Sequence, residues 1–435
     1  MHTILRIALV VAPAVVAAQG ADNARPISVD EAVRLALRNS PTTIAARNQL
    51  RTGTSSVRQT FSSFFPTPSL QMNASQRVGT QLVQGVPLPL TGNPWTYGRS
   101  VSFGQVTLFD GGLKYYNYRA ATQNLHASEA NEISQRYNVA LSVKTAYYNV
   151  LTAREQEVAA QRQLEQAQQQ LGVATAKMNA GAATLADSLS GAIAVGNARL
   201  AILNAQNSLS NANAALTRLV GADVAVTASP ADTGGVERIE VDETTLFQMV
   251  LDGPQVRQSQ ASLAATRASH RAQLTPYLPT LTVSGSYGNN PQSSPTFNWG
   301  GGPSSTSASM TFNLNYPLWN GYQRESQLVA ARVNMENAEA NVRDQRLLAK
   351  QNLTTQLNSF RTAMQQIELQ QLQIRASEEN LRVVTRQYSL GTKQLLDLLT
   401  AQTSLDNARN GLITARQSAR IAKANIEALI GRDLK

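Results

Sequence analysis

The chain has 435 residues, a formal net charge of +10 at pH 7 and no cysteine. Without cysteine it has no disulfide framework, thiolate zinc site or thiol nucleophile. Aromatic residues make up 6% and charged residues 15%, so the composition fits neither stacked membrane helices nor a disordered chain. We therefore expect a folded protein with no catalytic centre, no metal site and no cofactor.

The first segment, residues 1–18, has the pattern of a secretory signal peptide. Arg6 precedes an apolar run from Ile7 to Val16, and small residues follow it. The run is shorter than the about 20 residues that a membrane-spanning helix needs. We expect cleavage after Ala18 and export from the cytoplasm. Because the chain is exported and its basic residues are dispersed, we expect no nucleic-acid partner in spite of the positive charge.

The rest of the chain consists of two copies of one unit. Glycines and acids recur at an offset of 210 residues, as in Gly181 with Gly391 and Asp187 with Asp397. The copies span 27–221 and 240–431, and a segment rich in turn-forming and small residues, 222–239, joins them. Two copies in tandem predict a pseudo-symmetric protein rather than a solenoid, which needs at least three repeats.

Each copy begins with short helices and continues with strands. The helices are expected over 29–39, 42–64, 241–251 and 254–276. Apolar and polar residues then alternate, most clearly from Ala308 to Tyr316, which is typical of strands with one apolar face. The alternating segments, about 68–109 and about 281–318, predict two β-hairpins whose strands are long enough to cross an outer membrane. In the first hairpin we expect the second strand over about 100–109 and an exposed loop over 81–98 before it.

The long segments after the strands carry an apolar ladder with a period of seven. In the second copy its members are Leu353, Phe360, Ile367, Ile374, Leu381 and Tyr388. This period is typical of a coiled-coil seam. It predicts helical hairpins over 113–220 and 323–430, folded at Gly181 and Gly391. Two shorter helices are expected to stand end to end beside the long first arm of each hairpin, which extends roughly 100 Å at about 1.5 Å per residue.

The strand count requires several chains. Four strands cannot close a membrane barrel, and an open sheet edge in lipid leaves backbone groups unpaired. Two chains give about eight strands, whose interior is filled by side chains, whereas three give about twelve, which leave a lumen. The sequence therefore predicts a homotrimer embedded in outer-membrane lipid.

Several motifs mark corresponding places in the two copies. They are SVDEAVRLALRNSP (28–41), Phe65-Pro66 with Leu278-Pro279, LFDGG (108–112) with LWNGY (318–322), and YSLGTKQLLDLLTAQTSLDNAR (388–409). With these motifs the chain resembles the TolC family of outer-membrane efflux channels over nearly its whole length after the signal peptide. The resemblance implies a mainly helical fold with a trimeric β-barrel in the outer membrane, continued by a helical barrel through the periplasm. It also implies an exit duct of a tripartite efflux or type I secretion system, with a periplasmic adaptor and an inner-membrane pump as partners.

The resemblance further implies a gate at the hairpin tips. Asp397 matches a ring of carboxylates at the constriction, which repel one another and attract cations. Tyr388, Lys393 and Asp187 match residues that latch neighbouring hairpins together. Lys393 replaces an arginine of the family, so the latch loses a planar, bidentate donor and is expected to be weaker. The tip residues expected to meet the adaptor are Gly181, Gly391 and Thr392.

A soluble periplasmic coiled-coil scaffold or adaptor is the alternative. It would explain the seven-residue period of the long helices. It would not explain two alternating hairpins that carry almost no charge, and these favour the channel.

Overall fold

A computed structural model describes residues 24–76, 78–83, 85–89, 95–233, 235–236, 238–294 and 306–434. The predicted signal peptide lies outside these residues. The first copy contains β1 (Arg25–Ile27), α1 (Val29–Asn39), α2 (Pro41–Ser62), β2 (Ser69–Gln76), β3 (Thr80–Val83), β4 (Val86–Pro89), β5 (Trp95–Phe109), α3 (Leu113–Asn179) and α4 (Leu185–Val220). After β6 (Val226–Ala228), the second copy contains α5 (Glu243–Leu251), α6 (Pro254–Ala272), β7 (Thr280–Ser294), β8 (Thr306–Asn315), α7 (Gln323–Ser389) and α8 (Leu395–Ile430).

The two helical hairpins begin and end at the predicted residues, from Leu113 to Val220 and from Gln323 to Ile430. In each copy the 67-residue helix is followed by a 36-residue helix that runs back along it. Helix α3 packs against α2 and α4, and α7 packs against α6 and α8, so two shorter helices accompany each long one. Helix α3 also packs against α6 and α8 of the second copy, and these contacts join the two copies. The four arms therefore lie side by side in the order α4, α3, α8, α7.

The two hairpins of strands form one antiparallel sheet in the order β2, β5, β7, β8. Rows of neighbouring residues across its strands alternate between apolar and polar side chains. One row contains Leu70, Val101, Tyr287 and Ala308, and the next contains Ser69, Ser102, Ser286 and Ser309. The serine hydroxyls pair across the strands, with 2.7 Å between Ser69 and Ser102 and 2.8 Å between Ser286 and Ser309. The sheet thus has an apolar face and a polar face, as a barrel between lipid and a lumen requires.

The strands differ from the prediction at the far end of the first hairpin. We expected a strand over about 100–109 and an exposed loop before it. Instead β5 begins at Trp95, and part of the expected loop forms a ribbon in which β3 pairs with β4. This segment has no clear alternation of apolar and polar residues, and hydrogen bonds between the backbones of β3 and β4 hold it in its ribbon. No helix in the described part of the chain is both long enough and apolar enough to cross a membrane.

Two apolar cores lie where the long helices meet the short ones. The first surrounds Tyr147 and Leu151 of α3, and the second surrounds Leu353 and Phe360 of α7. The segment 222–239, predicted as the linker between the copies, contributes to both cores. Its strand β6 pairs in parallel with β1, and Val226 and Ala228 are buried in the first core. Val236 and Ile239 pack against the second core. The linker is therefore a structural part of both copies.

Candidate functional site

The tips of the two helical hairpins share one backbone structure. At the first tip Ala182 N donates to Lys177 O over 2.8 Å, and at the second Thr392 N donates to Gln387 O over 3.0 Å. Gly181 and Gly391 have φ angles of 71° and 79°, in the left-handed region that glycine adopts without strain. The repeated glycines thus produce equivalent reversals at the end of the molecule farthest from the strands.

Asp187 at the first tip is engaged in capping its own helix. Its carboxylate accepts hydrogen bonds from Thr184 N at 2.9 Å and from Thr184 Oγ1 at 2.8 Å. Thr184 Oγ1 in turn accepts a bond from Asp187 N at 3.2 Å, which completes a capping box at the start of α4. The backbone and side-chain hydrogen bonds from Thr184 lower the pKa of Asp187. The Asp187 carboxylate is therefore stabilised in its charged form and caps the N-terminal end of α4.

Asp397 occupies the corresponding position at the second tip but has fewer partners. Its Oδ2 accepts one hydrogen bond from Gln394 N at 3.2 Å, and its Oδ1 lies 3.6 Å from the ammonium of Lys393. The side chain is 43% exposed. An exposed ion pair of this length is weak because water screens it. Asp397, the residue predicted at the constriction, thus keeps a charge that faces solvent in the single chain.

Tyr388 is enclosed by its own hairpin. It is 7% exposed and forms a small core with Leu395 and Leu398. Its buried hydroxyl has no hydrogen-bond partner among the described residues. Burial raises the pKa of Tyr388, and the nearby charge of Asp187 raises it further. Asp187 thus acts on Tyr388 through its charge and not through a hydrogen bond, while Lys393 pairs with Asp397 within the second hairpin.

Lys177 is a tip residue that the sequence comparison missed. Its Nζ lies 4.0 Å from the centroid of the Tyr388 ring and donates a hydrogen bond to the Tyr388 carbonyl oxygen. At the offset of 210, the second copy has Gln387 in this position, so the repeat did not single Lys177 out. The only local signal in the sequence is a positive charge in the last turn of α3, where it stabilises the C-terminal end of the helix.

Comparisons with known proteins agree with this architecture. The family model described as outer membrane efflux protein matches residues 32–222 and 248–432. The chain is 26% identical to protein CyaE of Bordetella pertussis over 404 residues, which cover 89% of this chain and 81% of CyaE. It is 25% identical to outer membrane protein TolC of Escherichia coli over 122 residues, 28% of this chain and 24% of TolC.

The fold is also found among solved structures. A crystal structure of CusC, described in connection with transmembrane channel formation, covers 94% of this chain and 94% of its own with a TM-score of 0.81. Only 17% of the residues are identical, so this likeness shows the fold alone. It confirms the predicted fold class, with long helices and four strands per chain.

Proposed function

Because this chain belongs to the outer membrane efflux protein (TolC) family, and is thus an outer-membrane channel protein that extends into the periplasm, we propose that three copies form an exit duct. The duct serves a tripartite efflux or type I secretion system. Its periplasmic end meets an adaptor protein, and an inner-membrane pump supplies the substrate.

Three predictions from the sequence motifs are confirmed by the family match: the family, the outer-membrane location and the channel function. A protein of this family is a channel and not an enzyme. The alternative of a soluble periplasmic scaffold is set aside, because the matched family resides in the outer membrane and the sheet has the two-faced pattern of a barrel wall.

The open edges of the sheet support the trimer. Among the described strands, β2 and β8 each pair with a single neighbour, so each leaves one edge without a described strand partner. The apolar face of β8 is widely exposed, with Met310, Phe312 and Leu314 at 68%, 62% and 68%. Joining β8 of one copy to β2 of the next satisfies the edges, and lipid covers the apolar face.

The outer arms of the helical layer give independent support. Helices α4 and α7 are the two ends of the row of four arms, and both expose large aliphatic side chains. These are Leu185, Leu189, Ile193, Leu200 and Leu203 on α4, and Leu347, Leu369 and Leu372 on α7. Each such side chain contributes about 1.5–3 kcal/mol when it is fully buried. Packing α4 of one copy against α7 of the next would bury both stripes and close a helical ring.

The tips form the gate in this proposal. Three copies bring three Asp397 carboxylates to the mouth, where they attract cations, while Lys393 reduces their net charge. Asp187, Tyr388 and Lys393 hold the tips in the closed arrangement. The adaptor contacts the reversals at Gly181, Gly391 and Thr392.

Ion selectivity tests the proposed constriction. In a planar bilayer with a salt gradient, we expect Asp397→Asn to reduce the ratio of cation to anion permeability by about twofold or more, because a charge is lost at the narrowest point. Asparagine is the suitable replacement because its amide oxygen can still accept the bond from Gln394 N. Lys393→Gln should change the ratio in the opposite direction, since it leaves Asp397 unneutralised. Reversal potentials that stay unchanged in both variants would remove Asp397 from the constriction.

Conductance and native mass test the duct as a whole. Wild-type protein in detergent should have the native mass of three chains and a small single-channel conductance, and Asp187→Ala with Lys393→Ala should increase that conductance. A trimer that is already wide open would keep the channel and exclude the latch. A monomer that forms no pores would contradict the exit duct.

A further inference from the structure

We propose that Lys177 is a tether between the two hairpin tips, and that its contact with Tyr388 limits how easily the second hairpin moves away from the first. This inference rests on the gate proposed above and adds to it a residue outside the family-derived latch. The contact joins residues 211 positions apart, on different copies of the repeat.

Electrostatics at the helix ends explain why a cation lies here. Helices α3 and α7 both run toward the mouth and end at the tips. Each helix end carries roughly half a negative charge from its unpaired carbonyl groups. Two such ends close together repel each other. Lys177 lies in the last turn of α3, and its ammonium donates to the Tyr388 carbonyl in the last turn of α7, so one cation offsets both ends.

The aromatic ring strengthens the same contact. The ammonium lies 4.0 Å from the centroid of a ring that is itself buried, and a cation over a ring gains more energy when water is excluded. The ring is fixed by the small core of Leu395 and Leu398 at the start of α8. Through one residue, Lys177 of the first hairpin is thus connected to both helices of the second.

Between the mouth and the distant ion pair of Lys144 with Glu427, the side-chain hydrogen bonds that join helices α3 and α8 are of a different kind. They are bonds between neutral amides, Gln166 with Gln402 and Asn149 with Gln417. Water can replace an amide partner at little cost when the helices separate. The ammonium of Lys177 would lose a charge-assisted hydrogen bond and a ring face together. Separation of the tips therefore has to break this contact.

Hydrogen exchange of the purified trimer, followed by mass spectrometry, tests the tether. We expect Lys177→Met to speed exchange of the backbone amides of 386–396 by about fivefold or more, because the tip opens more often. Lys177→Arg keeps a cation over the ring and should exchange like wild type. Arg386→Met is the matched control, since it removes an exposed cation from the last turn of α7 and leaves the Lys177 contact intact. Its exchange should change by less than twofold.

The outcomes separate the tether from the gate. Faster exchange with increased single-channel conductance supports both. Faster exchange with unchanged conductance supports the tether and contradicts a gate at the tips. Exchange in Lys177→Met that equals that of Arg386→Met overturns the tether, whatever the conductance. If Lys177→Met does not assemble into a trimer of wild-type mass, Lys177→Gln, which also loses the charge, provides the same test.

Discussion

The two copies of the repeat share a backbone plan, but their cores differ at one corresponding position. Tyr147 of α3 corresponds to Leu357 of α7, and both side chains are buried. The Tyr147 hydroxyl lies 2.9 Å from Ile27 O, accepts a bond from Ser229 N at 3.0 Å and bonds to the Asp232 carboxylate. Leu357 belongs to the apolar cluster of the second core and has no polar atom in its side chain. The first core therefore has a polar centre that the second lacks.

The strand pair explains this difference. The first core contains β1 and β6. Backbone N–H and C=O groups at the ends of these short strands need hydrogen-bond partners inside the protein. The Tyr147 hydroxyl bonds to the carbonyl oxygen of Ile27 and to the backbone N–H of Ser229. Arg154 adds a bond to Ala228 O at 2.7 Å and one to Thr227 Oγ1 at 2.8 Å. Both cores receive a short helix whose backbone groups bond to one another, α1 in the first and α5 in the second, but among the described strands a pair is found only in the first. A core without such a strand pair can be apolar, whereas one that contains it requires polar side chains.

The largest expected effect comes from the ion pair that joins the copies. Lys144 of α3 lies 2.5 Å from Glu427 of α8, and their side chains are 18% and 10% exposed. Glu427 also accepts a bond from Leu434 N. Lys144→Met leaves Glu427 without its cation, which costs about 3–5 kcal/mol for a fully buried pair and about 2–3 kcal/mol for a pair with this exposure. Hydrogen exchange should report this loss in peptides covering 417–434. A loss below about 0.5 kcal/mol would mean that water already screens the pair.

A smaller effect is expected from the polar centre itself. Tyr147→Phe keeps the ring and removes the hydroxyl's bonds to Ile27 O, Ser229 N and the Asp232 carboxylate. Ser229 N and Ile27 O keep their bond to each other, so the loss falls mainly on buried bonding to Asp232, at a cost of about 1–3 kcal/mol. Exchange should become faster in the peptide covering 225–232 and stay near wild type in 243–251. Leu357→Met is the matched change in the apolar core and should cost under about 1.5 kcal/mol. Equal effects of the two variants would contradict the distinction between the cores.

The smallest effect is expected from alkaline pH. Burial lowers the pKa of Lys144, but the hydrogen bond and charge of Glu427 outweigh burial and raise it above 10.5. Burial and the bond to Asp232 also raise the pKa of Tyr147. Both folded-state values lie above the unfolded ones. The stabilisation is thus complete below about pH 10 and is lost as pH rises through the folded-state values.

The dissociation temperature of the trimer, measured from pH 8 to pH 11, tests whether stability falls as the pH rises. It should fall toward the upper end of the range in wild type. It should fall less in Lys144→Met, which has already lost one of the two groups. A steeper fall in the variant would show that other groups control the alkaline response.

Patterns between near neighbours in the chain predicted most of the fold. The seven-residue ladder through Leu353 and Phe360 gave the long helices, and both side chains are buried in the second core. The offset of 210 between Gly181 and Gly391 gave the two tips. In contrast, β6 escaped prediction because three residues are too few to establish an alternating pattern, and its partner β1 lies about 200 residues away. The unequal bonding of Asp187 and Asp397 depends on Thr184 and Gln394, which a repeat comparison aligns without distinguishing.

The sequence by itself determined the family, the two copies, the long helices, the strands and the place of the tips. The family follows from motifs, the copies from their recurrence at an offset of 210, and the helices, strands and tips from local periodicity and the backbone freedom of single glycines. None of these needs knowledge of distant contacts. Only the tertiary structure decided that Lys177 meets Tyr388, that Lys144 meets Glu427 and that Tyr147 anchors the connecting segment. Each of these contacts depends on which helices lie side by side and on the few ångströms that a side chain can reach, and neither is encoded in the spacing along the chain.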